Sequence, residues 1–259
     1  MIFESHAHYD DRQFDDDRHE LLASLPENGI GRVINIGCSI KSCKRTLELV
    51  DQYDHVYGVL GVHPSDIKKG LDEESFAWME GQLSHEKIVA VGEIGLDYYW
   101  DKEPEVRENQ KYWFKRHLEL AKKHNLPVVI HSREAAEDTM EIMRQAAADG
   151  IPGVIHCFSY SKEIALEYVK MGYYIGVGGV VTYSNGRKLK EAVCAIPLNR
   201  ILLETDCPYL TPVPHRGKRN SSLHLPRVVT EIAQLKGVSE EEVMRVTYEN
   251  GMRLFSKVK

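Results

Sequence analysis

No apolar run in this sequence approaches the ~20 residues that a membrane-spanning helix needs, and Glu4, His6 and His8 interrupt any signal-peptide core at its start. A cytoplasmic protein without membrane attachment is the expectation. Cysteine is sparse: Cys38, Cys43, Cys157, Cys194 and Cys207 are odd in number, none stands in a C-x-x-C pair, and most sit in apolar, strand-like context. That excludes a zinc finger and favours reduced thiols over a disulfide framework. There is no excess of positive charge either. The balance of 33 Lys+Arg against 39 Asp+Glu, a formal charge of −6, excludes a protein that coats nucleic acid nonspecifically. A nucleic-acid substrate would need a local basic patch and bound cations. Repeats, low-complexity segments and Pro/Gly/Ser linkers are also missing, so residues 1–259 read as one domain.

What is present is a regular alternation of short Val/Ile runs and helical segments. The strand-like runs are Ile2–His8, Arg32–Gly37, Val56–Val62, Ile88–Glu93, Pro127–His131, Gly153–His156, Tyr173–Val177 and Ile201–Asp206. Helical spacing covers Asp15–Leu25, Ser42–Tyr53, Glu73–Leu83, Glu105–His124, Glu134–Ala148, Lys162–Met171 and Arg187–Ala195, with Asn125 as a terminator. Two more helices follow, one starting near Pro226 and one opening with the capping pattern Ser239-Glu240-Glu241-Glu242. Near-continuous apolar runs are what strands covered on both faces look like. Eight of them, each followed by a helix, predict an α/β fold of the parallel TIM (β/α)8 barrel type, with a doubly wound open sheet as the weaker alternative.

In such a barrel the strand C-termini form one mouth, and sites are assembled there from residues far apart in sequence. His6 and His8 share one face of the first strand by alternation, and Glu93, His131, His156 and Asp206 each stand at or beside the end of a later strand. Side chains of this kind are costly to bury unless paired or metal-bound. Six of them exceed what one tetrahedral ion needs, so two divalent ions are expected. The assignment is His6, His8 and Asp206 to one ion, His131 and His156 to the other, and Glu93 as the bridge. Mixed imidazole and carboxylate ligands suit Zn, Mn, Fe or Ni, and Mg less well.

The segments Glu4-Ser5-His6-Ala7-His8, Gly61-Val62-His63-Pro64, Gly92-Glu93-Ile94-Gly95-Leu96-Asp97-Tyr98, Pro127-Val128-Val129-Ile130-His131-Ser132-Arg133, His156-Cys157-Phe158-Ser159 and Leu203-Glu204-Thr205-Asp206-Cys207-Pro208-Tyr209-Leu210 resemble the successive signatures of the TatD-type metal-dependent deoxyribonucleases. The resemblance runs from residue 2 to the Asn250–Phe255 ending. It implies a TIM-barrel hydrolase of the amidohydrolase-like superfamily that cleaves DNA phosphodiesters, typically trimming single strands from the 3′ end. The family's ligands fall on the same six positions. Two departures stand out: the family usually has Asp where Glu4 stands, and Glu-Pro where this chain has Ser221-Ser222.

Several residues have a functional and an ordinary reading. His63 faces the same mouth and would touch a phosphate oxygen, or else cap a His-Pro turn. Arg133, two residues beyond His131, would reach a phosphate bidentately or pair with Glu134 or Glu137. Arg216, Lys218 and Arg219 form the one concentrated basic run and follow the last strand on the same side, suited to DNA phosphates or merely solvated. Tyr98-Tyr99-Trp100 would stack unpaired bases or cap the rim. Glu204 shares the face of Asp206 and is expected to support a ligand or the attacking water from behind. Glu4 should lie hydrogen-bonded beneath His6. The remaining histidines, His19, His55, His85, His117, His124 and His224, read as surface residues.

The mechanism expected is two-metal activation of water, with Glu93 and Asp206 as the catalytic carboxylates and Asp206 as general base. The cofactors would be two of Mg, Mn or Zn, the partner single-stranded DNA, and the state a monomer. A metal-dependent hydrolase of a small ester, lactone or amide on the same barrel is the first alternative. A non-catalytic metal-binding scaffold is the second.

Overall fold

The computed structural model describes residues 1–259. Its chain order is β1 (Ile2–Ala7), α1 (Arg18–Ser24), β2 (Ile30–Ile36), α2 (Ile40–Gln52), β3 (Val56–Leu60), α3 (Pro64–Ile67), α4 (Glu73–Gln82), β4 (Ile88–Asp97), α5 (Pro104–His124), β5 (Val128–Arg133), α6 (Ala136–Ala148), β6 (Gly153–Ile155), α7 (Lys162–Lys170), β7 (Tyr174–Val177), α8 (Arg187–Ala195), β8 (Ile201–Leu203), α9 (Leu225–Lys236) and α10 (Glu240–Leu254). The strands pair in sequence order as one eight-stranded sheet, each pair parallel. An isolated bridge between Ala7 and Cys207 brings the last strand back to the first. The fold is the TIM barrel that the alternation predicted. No helix is long and apolar enough to cross a membrane.

Local signals in the sequence act as expected at several ends. Asn125 takes the left-handed conformation (φ 52°) that terminates α5, and the Ser239 hydroxyl accepts from Glu242 N to start α10. Other boundaries move. β4 runs on to Asp97, so Glu93 lies inside a strand rather than at its end, and His131 likewise stands two residues short of the end of β5. The cause is that β4 and β5 keep pairing through Asp97 and Arg133. Bare backbone makes that approach possible: a Cβ at Gly95 (φ 142°) would meet the His131 carbonyl oxygen at 1.9 Å. β8 is shorter than expected and stops at Leu203, leaving Asp206 in a turn at φ 56°.

The core has two layers. The larger lies between the strands' outer faces and the helices; the smaller fills the barrel and includes Phe3, Ile36, Tyr57, Val89, Val129, Val154, Tyr174 and Leu202. The chain's end plugs this inner layer, Phe255 stacking on Phe3 at 5.9 Å between centroids while Tyr248 meets Phe3 edge-on. One step above, the same inward positions turn polar: Val129 gives way to His131, Val154 to His156, and Leu202 to Glu204 and then Asp206. On β5, β6 and β8, period two thus carries the chain from apolar core to mouth.

His117 corrects the sequence reading. It is fully buried in α5, its Nδ1 2.7 Å from Trp113 O and its ring edge-on to Phe76, because a neutral imidazole with one backbone partner packs as an aromatic. Burial holds its pKa down at about 4.

Phe3 joins the barrel floor to α10, so Phe3→Ala should cost ~3–5 kcal/mol, the range for truncating a buried aromatic. Urea unfolding followed by circular dichroism should show a lower midpoint with an unchanged m-value.

Candidate metal centre

Glu93 sits at the middle of the mouth, 3% exposed, and its two oxygens face different partners. Oε2 lies 3.3 Å from His6 Nε2 and 3.7 Å from His8 Nε2. Oε1 lies 2.9 Å from His131 Nδ1 and 2.8 Å from His156 Nε2. Asp206 completes the first group, 3.3 Å from His8 Nε2 and 3.7 Å from His6 Nε2. All six expected ligands therefore converge, and they fall into overlapping triads that could each hold an ion.

The spacing fits a cation. His6 Nε2 and His8 Nε2 approach to 3.2 Å, close to the ~3.3 Å that separates two imidazole nitrogens bound tetrahedrally at about 2.0–2.1 Å from one ion. The donor set, four imidazoles and two carboxylates, is also of the right type. His8 is steadied from behind by Ile36 O at 3.0 Å, and His131 by Asp97, whose Oδ2 lies 3.1 Å from Nε2. A carboxylate placed behind an imidazole as Asp97 is behind His131 would fix the ring of a metal ligand.

Burial alone would raise Glu93 and Asp206, but the surrounding histidines outweigh it and hold both carboxyls below their usual range. The histidines divide. Burial and the neighbouring His156 push His6 down to about 4, and burial with His131 pushes His63 down to about 3. For His8 and His156 burial works downward but is overcome by the carboxylates, chiefly Asp206 for one and Glu93 for the other, which raise them to about 10 and about 9.

Glu204 is buried behind the centre, its Oε1 accepting from Cys157 N at 2.5 Å and lying 3.8 Å from His156 Nδ1. Burial raises it to about 7. Glu4 accepts from His6 N, Thr205 N, Thr205 Oγ1 and Ser222 Oγ, and so ties β1 to the segment carrying Asp206. Ser222, one of the two departures from the family pattern, thus bonds directly to Glu4, the other.

The centre opens into a cavity of about 730 Å³. His63 lines it and also caps α3, accepting from Ser65 N at Nδ1. Arg133 lines it, not paired with Glu134 or Glu137 but over the Tyr99 ring at 3.9 Å. The basic run behaves differently. Arg219 makes a two-pronged pair with Asp17 above Phe14, Arg216 lies over Tyr183 at 4.1 Å, Lys218 is exposed, and none of the three lines the cavity. Asp97 was not singled out by sequence; its place in the Gly92–Tyr98 motif, four residues after Glu93, is the signal that could have found it.

The sequence matches the profile of the family described as TatD related DNase over residues 3–256. It is 42% identical over 255 residues to the metal-dependent hydrolase YabD of Bacillus subtilis, covering 98% of this chain and 99% of that one. It is 35% identical to the metal-dependent hydrolase YcfH of Escherichia coli, covering 98% and 96%. Among solved structures, the TatD homologue YjjV of Escherichia coli superposes with a TM-score of 0.91 at 31% identity, covering 98% of each chain. An organophosphorus hydrolase from Deinococcus radiodurans shares the fold alone, with a TM-score of 0.65 at 14% identity and coverage of 98% and 92%.

Without metal at neutral pH, His8 and His156 hold protons opposite ionised Glu93 and Asp206. A divalent ion must displace them, and His131 is shifted upward as well, burial being outweighed by Asp97 and Glu93, so loading the stripped protein at pH 7 should release at least two protons, and affinity should rise as pH climbs through about 9 and about 10. Titration calorimetry in buffers of different ionisation enthalpy counts the protons. Release near zero would remove these histidines from the ligand set.

Proposed function

The chain belongs to the TatD-related DNase family and is a metal-dependent hydrolase; from that premise we propose that it cleaves DNA phosphodiesters, trimming single strands from the 3′ end, with residues 1–259 acting as one hydrolase domain. The cofactors are two divalent ions drawn from Mg, Mn and Zn. One observation carries this reading: the two oxygens of Glu93 face two separate imidazole pairs. A carboxylate so placed can bridge two cations that clamp one phosphate. His6, His8 and Asp206 would hold one ion, His131 and His156 the other.

Such ions, when bound, would withdraw charge from the phosphate and lower the pKa of the attacking water. The side chains do the rest. Asp206, ionised through the neutral range and facing the cavity, accepts the proton of the attacking water. Glu204 supports the loop carrying His156 through its bond to Cys157 N. His63 is neutral and uses Nδ1 as an acceptor, so its Nε2 carries the proton and can donate to a phosphate oxygen. Arg133 is the one Lys or Arg lining the cavity and takes the phosphate of the strand. Arg216, Lys218 and Arg219 have no part in this scheme, since none of the three lines the cavity. Base edges need not be read for this chemistry, so cleavage should show little sequence preference.

Metal-stripped protein should leave a 5′-labelled single-stranded oligonucleotide intact and should shorten it from the 3′ end once Mg, Mn or Zn is restored. Asp206→Ala should slow this about 10²–10⁴-fold, as expected for loss of a general base, and a Glu93→Ala, Asp206→Ala double variant should be inert. Absence of cleavage by protein shown to hold two ions would discard DNA and move the substrate to a small ester or amide.

A further inference from the structure

The loop between β4 and α5 is pinned more firmly than its exposure suggests. Asp97, itself buried, accepts through Oδ1 from the backbone amides of Tyr99 and Trp100, at 3.0 and 3.2 Å, while its Oδ2 lies 3.1 Å from His131 Nε2. Gln110 on α5 braces the loop from behind: its Oε1 accepts from Asp97 N at 3.0 Å and its Nε2 donates to Asp101 Oδ2 at 2.9 Å. Lys68 just beyond α3 pairs with the other oxygen of Asp101. Four polar groups therefore fix a loop that then leaves Tyr99 and Trp100 41% and 63% exposed.

An aromatic ring of that size gains most from burial. Here the ring of Trp100 is open and lines the cavity of the metal centre, and the guanidinium of Arg133 stands 5.7 Å from it and 3.9 Å from the Tyr99 ring. Arg133 lies two residues beyond His131 on β5, about 6–7 Å along the strand, a step comparable to one nucleotide. A largely exposed indole beside a cation, one nucleotide from a phosphate-cleaving centre, suits an unpaired base and its phosphate.

We propose that Trp100 and Arg133 form a subsite for the nucleotide next to the scissile bond, the indole stacking on its base and the guanidinium holding its phosphate. Asp97 is a positioning residue that keeps this subsite in step with ligand His131. The proposal rests on the nuclease reading and deepens it, because it makes an unpaired nucleobase, and not only a phosphodiester, part of what is recognised. Stacking of this kind tolerates every base and contributes through affinity.

The test uses the metal-loaded full chain and single-stranded thymidine oligonucleotides that are normal or carry a tetrahydrofuran abasic residue at the terminal or the penultimate 3′ position. One abasic position should cost the wild type about 10-fold in kcat/KM, mainly through KM, the size expected for loss of one stacked base. Trp100→Ala should lose the same factor on the normal oligonucleotide and nothing further on the abasic one. Trp100→Phe should recover most of it. Arg133→Ala should raise KM on both. Equal cleavage of normal and abasic substrates by the wild type would overturn the subsite, as would Trp100→Ala paying the full abasic penalty. If neither substrate is hydrolysed, the nuclease reading itself fails, a result distinct from hydrolysis that ignores the base.

Discussion

A single buried carboxylate organises the mouth of this barrel. Glu93 stands almost out of water with four imidazoles around it, and neither its charge nor theirs could be kept there alone. An isolated ionised carboxylate in such a place is prohibitively costly, so the cluster must be satisfied as a whole, by protons on some histidines or by cations among them. That requirement explains why the six clustered side chains come from five strands or the turns after them. No single strand could bring four rings and a second carboxylate to one point. The parallel barrel can, because every inward position one pleat above the apolar floor points at the same axis.

The seam between β8 and β1 has to be exact for this to work, since it carries three of the six candidate ligands. Main-chain bonds from Asp206 N to His6 O and from His8 N to Cys207 O set Asp206 against the His6–His8 pair. Glu4 reinforces them with four accepted hydrogen bonds, one from Ser222 well along the chain. Burial pushes Glu4 up to about 8 while those donors pull it down. The longer side chain at residue 4 and the hydroxyl at residue 222 meet in one bond, so the two places where this chain departs from the family pattern are one local solution to closing the barrel.

What could be read in the sequence was whatever depends on short-range spacing. The His6–His8 alternation, the Val-to-His steps on β5 and β6, the Asn125 terminator and the Ser239 cap are all written within a few residues, and each has its place in the fold. Features set by distant neighbours were not legible. Glu93 looked like a strand end because nothing local says that β4 keeps its pairing with β5 as far as Asp97. Arg219 looked like a free cation, yet its partner Asp17 lies 202 positions away. His117 looked like a surface residue of a charged helix, although Phe76 from another helix covers it. Asp97 was passed over because its two tasks, orienting His131 and capping the Tyr99–Trp100 turn, exist only once β4 and β5 lie side by side.

The charge of the mouth bears on how a polyanion could be held there. Asp10, Asp11, Asp66, Glu93 and Asp206 line the cavity against Arg133 alone among the strong bases, in keeping with the formal charge of −6 for the whole chain. A protein that grips DNA by neutralising many phosphates releases a counterion at each and weakens steeply with salt. This lining offers one such contact. Affinity for a strand would therefore have to come from cations held in the centre, which would supply positive charge only at the reacting phosphate, and from contacts that carry no charge, of which the exposed indole of Trp100 is the chief candidate. On the nuclease reading such a site would hold an end of a chain briefly rather than track along its length, and the acidic walls would act against any polyanion whose phosphates did not reach cations in the centre.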